Sequence, residues 1–124
     1  MKCLSLKQPF AELLATGKKT VELRNWNTNF RGEFVIHASR SIDYDACEKF
    51  CIDPDSLVIG AAVGKARLTH VKQYMSKKGF VAEKEKHLAG NSYFSRNTHG
   101  FSVIDAEKFE KPIKMKGRLG FFDF

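Results

Sequence analysis

The chain has 124 residues, 43% of them hydrophobic, and a formal net charge of +7 from 21 Lys and Arg against 14 Asp and Glu. That length holds one domain, residues 1–124, with an interior but no second core, and the basic balance points toward anionic partners. No apolar run approaches the length that spans a bilayer and the N-terminus lacks a secretory pattern, so the expectation is a cytoplasmic protein with no membrane partner.

Residues 2–6 alternate Cys3 and Ser5 against Leu4 and Leu6, which predicts a first strand. A short helix over 9–16 follows. Phe10, Leu13, Leu14 and Gly17 recur at helical spacing, Pro9 suits the first turn, and Gly17 suits the stop. Residues 20–24 alternate again, placing Val21 and Leu23 inward and Thr20, Glu22 and Arg24 on a polar face. Lys19 points the other way in a regular strand and joins that face only if the turn re-aims it.

After a polar stretch holding Trp26 and Phe30, residues 33–38 read as a strand with Phe34, Ile36 and Ala38 on one face and His37 on the other. A helix over 42–51 with Asp43 as N-cap is predicted, ended by Asp53-Pro54-Asp55. Residues 57–71 form the longest strand-like run, with Gly60 and Gly64 marking a bulge or bend. Residues 75–88 are lysine-rich and helical in flavour, interrupted at Gly79. A loop over 91–99, a strand over 100–104, a basic tail and a closing strand over 119–124 complete the chain.

Lys19, Glu22 and Arg24 within six residues are either a solvated strand edge or the lining of a cleft for a polar ligand. Arg24 offers a planar fork suited to phosphate or a carbonyl edge. Glu22 can accept from an exocyclic amine. Lys19 supplies a compact positive charge, which a neighbouring carboxylate holds as an anchor more than as a base. Trp26 is a stacking residue or a core aromatic. His37 reads first as a hydrogen-bonded structural histidine. Cys47 and Cys51 share a helical face, but His37, His70, His87 and His99 are scattered, so no metal site is assigned. In the tail, Lys111, Lys114, Lys116 and Arg118 are uninterrupted by acidic residues and suit a phosphate-tracking surface.

Ser5-Leu6-Lys7-Gln8-Pro9-Phe10-Ala11, followed by Gly17-x-Lys19-x-x-Glu22-x-Arg24-x-Trp26, resembles the opening signature of the ASCH family of the PUA-like superfamily. The resemblance runs on through Arg31-Gly32-x-x-x-Ile36-His37-Ala38, Val58-Ile59-Gly60 and Lys116-Gly117-Arg118-Leu119-Gly120-Phe121, so it covers nearly the whole chain. It implies a β-barrel with a cleft beside the first helix, lined by Lys19, Glu22 and Arg24, and association with RNA. Some members of that family are amidohydrolases acting on acetylated cytidine through a lysine, a threonine nucleophile and a glutamate. Lys19 matches the lysine, but Glu22 stands at the threonine position, and Thr20, beside Lys19, faces differently. The carboxylate of those enzymes falls within 75–88, where Glu83 and Glu85 are the candidates.

The expected fold is α+β and mainly β: a small PUA-like barrel of five to six strands with two to three flanking helices. The expected function is binding of RNA or a nucleotide in a cationic cleft, by Ser5, Gln8, Lys19, Thr20, Glu22, Arg24, Trp26, His37, Lys114, Lys116 and Arg118. Two alternatives stand beside it. One is an amidohydrolase in which Lys19 and Glu22 are catalytic, and the other is a module that docks a protein partner. No cofactor is assigned.

Overall fold

Alternating apolar residues and glycine-marked bends build six strands around one apolar interior. The computed structural model describes residues 1–124. In chain order the elements are β1 (Lys2–Gln8), α1 (Phe10–Ala15), β2 (Val21–Arg24), β3 (Gly32–Ile42), α2 (Tyr44–Lys49), β4 (Ala61–Gln73), α3 (Lys77–Ala82), α4 (Lys84–His87), β5 (His99–Lys114) and β6 (Phe121–Asp123). Short 3-10 turns cover Pro54–Ser56 and Asn91–Tyr93. The helices therefore number four, where the sequence suggested two or three. All are short, and none is long and apolar enough to cross a membrane.

One mixed sheet runs in the order β2-β5-β4-β3-β1-β6. The β1–β3 pair is parallel and the other pairs are antiparallel. The fold is barrel-like, but its sheet does not close: β2 and β6 remain edges. The two edges nevertheless approach each other. Trp26, two residues beyond β2, packs edge-on against Phe121 of β6 with ring centroids 6.1 Å apart, and against Phe101 of β5 at 5.2 Å. Side chains bridge a seam that a hydrogen-bonded ladder would close in a true barrel.

The interior is filled by Leu4, Leu6, Leu14, Phe34, Ile36, Leu68, Phe101 and their neighbours from β1, α1, β3, β4 and β5. A second, smaller cluster joins Val21 and Leu23 of β2 to Tyr74 and Phe80, so α3 packs on the side of β2 away from the seam. The short first helix is seated closely on the sheet. A Cβ at Gly64 would lie 2.9 Å from Ala15 Cβ and 2.5 Å from the Glu107 carbonyl oxygen, so β4 needs a glycine beneath α1.

Several boundaries differ from the sequence reading. Asp43 does cap α2, its carboxylate accepting from the Ala46 amide at 3.0 Å, but Ile42 still belongs to β3. Residues 57–60 precede β4; the bend falls at Gly60, where φ is +66°. Gly79 sits inside α3, its amide donating to the Ser76 hydroxyl at 3.0 Å as part of an N-cap, and the break comes at Glu83. Cys51 lies beyond α2 with φ +56° and is exposed, whereas Cys47 is buried, so the two do not share a helical face.

Candidate functional site

The charged cluster is set by the turn between α1 and β2. Gly17, with φ +79°, ends the helix, and the Lys19 amide then donates to the Leu13 carbonyl at 3.0 Å. That bond re-aims Lys19 before the strand begins at Val21. Within β2 the period of two sends Val21 and Leu23 to the smaller cluster and Glu22 and Arg24 to the opposite face.

Lys19, Glu22 and Arg24 form a buried ionic triad. Lys19 Nζ lies 2.9 Å from Glu22 Oε1, and Arg24 Nε donates to Glu22 Oε2 at 3.0 Å. Lys19 is 5% exposed and Glu22 7%, so both charges are largely removed from water. The Lys19 approach is oblique, which leaves Glu22 Oε1 ion-paired without an aligned hydrogen bond. Burial pushes the Glu22 carboxyl up, but the charges of Lys19 and Arg24 outweigh it and hold the pKa below its ordinary value. Two further contacts fix the cations. Lys19 Nζ sits over the Phe10 ring, 4.8 Å from its centroid, and Arg24 Nη2 donates to the Ser5 carbonyl at 2.8 Å.

This triad faces a cleft of about 830 Å³ at the seam of the sheet. Phe10, Trp26, Phe50 and Tyr93 supply aromatic wall; Arg118, Leu119 and Gly120 close one side, and Asp43, Asp45 and Lys49 of the α2 region form another. Burial, reinforced by the nearby Glu22 carboxylate, pushes the Tyr93 phenol up. The volume suits a nucleoside-sized ligand, and most such pockets mix apolar walls with a few fixed polar groups.

The remaining expected residues fall unevenly. Ser5 lines the cleft and bonds His37 Nδ1 at 2.8 Å; His37 is buried, its Nε2 2.8 Å from the Met115 carbonyl oxygen. Trp26 is half-buried, lining the cleft while bridging the seam. Gln8 is absent from the cleft wall. Its side chain accepts from the Glu12 amide at 3.0 Å and donates to the Val58 carbonyl at 2.7 Å, so it caps α1 and ties down the 57–60 segment. Thr20 is exposed, precedes β2, and does not line the cleft. Lys114, at the end of β5, and Lys116 are exposed outside the cleft, and only Arg118 of the tail reaches it.

Glu83 accepts from the Tyr74 hydroxyl at 2.7 Å and pairs with Lys72 outside the cleft, and Glu85 is exposed; neither joins Lys19. Among the cleft residues that the sequence reading does not assign to the site are Phe10 and His87. Phe10 was counted as a helix-face residue, although its place beside the Gln8-Pro9 step put it at the helix mouth. His87 reaches the cleft only through tertiary packing, and no spacing rule marks it. No group of three or more His, Cys, Asp or Glu side chains is arranged to hold a metal.

Comparison with known proteins bears on this geometry. The family model described as "ASCH domain" matches residues 4–113. Among solved structures, ASCH from Zymomonas mobilis superposes with a TM-score of 0.68 at 19% identity, covering 91% of this chain and 72% of that one. A serine-to-alanine variant of that protein gives a TM-score of 0.67 at 19% identity, covering 92% and 73% of the two chains. A tyrosine-to-phenylalanine variant gives 0.67 at 19% identity, with 91% and 74% covered. At that identity the likeness is one of fold. No curated protein gives a significant match to the chain.

Proposed function

Because the chain belongs to the ASCH domain family, we propose that its cleft holds one unstacked base of single-stranded RNA, or the base of a free nucleotide. The observation that carries this reading is the buried Lys19–Glu22–Arg24 triad on the floor of an aromatic-walled cleft of about 830 Å³. Its fixed charges sum to +1 within a chain of net charge +7, so an anionic ligand is drawn in and its polar edge is met by preset groups. Trp26, Phe10 and Tyr93 offer rings for stacking, which contributes about 1–3 kcal/mol per base in single-stranded recognition. In this reading Arg118, which lines the cleft, meets a phosphate, and the exposed Lys114 and Lys116 meet further ones. Ser5 contributes at the rim, and His37 acts by holding Ser5 and the tail in place.

The same geometry weighs against Lys19 as a general base. Glu22 keeps it paired, and neither Glu83 nor Glu85 stands in the cleft to complete an acid–base set. Titration of labelled single-stranded RNA across a salt series tests the binding reading. The expected log–log slope is about −0.7 per phosphate neutralised. Arg118→Ala and Lys116→Ala should each lower the slope by about one phosphate equivalent. No binding at low salt, or binding indifferent to salt, rejects the proposal.

A further inference from the structure

The Ser5 hydroxyl and the His37 ring form a pair whose polarity the surroundings set. The Met115 carbonyl oxygen can only accept, so His37 Nε2, 2.8 Å away, carries the ring proton. In the neutral ring Nδ1 is then a bare lone pair, and at 2.8 Å it accepts the proton of Ser5 Oγ. A hydroxyl bonded to an unprotonated imidazole nitrogen, with the far nitrogen oriented by a third group, is the arrangement that activates a serine. Its placement suits chemistry: His37 is 2% exposed, while Ser5 is only partly buried and lines the cleft.

Donors without a protein acceptor stand on residues that neighbour the pair. Arg24 Nη2 is committed to the Ser5 carbonyl, but its Nη1 has no protein acceptor. The amides of Gly117 and Arg118 also donate to no protein acceptor. The backbone at Gly117 passes against the pair: a Cβ there would lie 2.7 Å from His37 Cε1 and would overlap Ser5 Oγ.

We propose that Ser5 is a nucleophile activated by His37, accepting acyl groups from small carboxylic esters that enter the cleft. Ser5 Oγ bonds to the carbonyl carbon as its proton passes to His37 Nδ1. Collapse of the tetrahedral intermediate breaks the bond to the alkoxide, which takes that proton from the imidazolium and leaves as the alcohol. Water, with His37 again as base, then cleaves the acyl-serine, giving the acid and restoring the hydroxyl. This activity does not depend on base binding, and either can fail without the other.

The test uses p-nitrophenyl acetate with the intact chain. The expected result is an acetyl group on Ser5 by peptide mass spectrometry, and nitrophenol release faster than from folded Ser5→Ala by about 100-fold or more. Absence of acetyl on Ser5 together with nitrophenol release no faster than from folded Ser5→Ala overturns the proposal, whatever lysines react. His37→Asn should lose the acylation; an unchanged rate in a folded His37→Asn also overturns it. Should His37→Asn not fold, Ser5→Cys replaces it. The new thiol should react with iodoacetamide faster than the exposed Cys51, and equal rates count against activation by His37.

Discussion

Glu22 carries the most consequential charge in the chain. It pairs with two cations at once, and its carboxylate is largely shielded from solvent by the residues it pairs. Removing one partner of a buried ionic network leaves the others uncompensated, at a cost of about 3–5 kcal/mol. Glu22→Ala should therefore lower stability by about that amount in a urea melt at pH 7, and a loss under about 1 kcal/mol would show that water reaches the cations. The pH sign follows from the lowered carboxyl. The folded pKa lies below the ordinary 4.5, so the unfolded chain binds the proton first. The Glu22 contribution is complete above that ordinary value and disappears as pH falls through the folded pKa. The sequence displayed all three ions, and it left open which way Lys19 turns. The answer lies in the Lys19 amide bonding back to Leu13, which no side-chain spacing encodes.

At the scale of elements, α3 and α4 are joined by a histidine. His87 Nε2 donates to the Phe80 carbonyl at 2.7 Å, Nδ1 accepts from the Ala89 amide at 3.0 Å, and the ring stacks on Phe80 with centroids 4.0 Å apart. The neutral ring satisfies both bonds; a protonated ring loses the second. Burial pushes its pKa below the ordinary 6.5, the Phe80 carbonyl resists that shift, and nearby Lys19 adds to it. Below pH 6.5 the unfolded chain therefore takes up the proton before the folded one, and stability falls as pH falls through that range. Urea midpoints from pH 7.5 to 5.5 should show this decline, and His87→Gln should flatten it. An identical slope in the variant assigns the decline to other groups.

The elements themselves were partly legible. Alternation marked β1, β2 and β3 because each has one predominantly apolar face, and Asp43 announced α2. The second half of β5 was not, since residues 107–114 are largely exposed and include Pro112, which argues against a strand. Bulges explain how it persists: between the Ala62–Ile113 and Gly64–Lys108 pairs, β5 carries extra residues that β4 does not match.

Over the whole molecule, five to six strands around one interior could be foreseen, but whether the sheet closes could not be read from the sequence. Closure depends on how far the sheet coils, and the two margins meet only through side chains such as Trp26 and Phe121, residues far apart in sequence whose meeting has no local signature. The cleft inherits its position from that seam, so its walls come from both ends of the chain: Ser5 and Phe10 near the start, Arg118 to Gly120 near the finish. The charge excess, by contrast, was readable from composition alone, though only Arg118 of the basic tail reaches the cleft.

A sheet left open at its margins breathes there first. A guest lodged between Trp26 and the 118–120 segment would act as a wedge-shaped rung, tethering two borders that share no ladder. Amide hydrogen exchange should then slow in β2 and β6 when an oligonucleotide binds, while the central β3 and β4 amides keep their rates. Slowing confined to the centre would mean that the margins are already as firmly held as the middle.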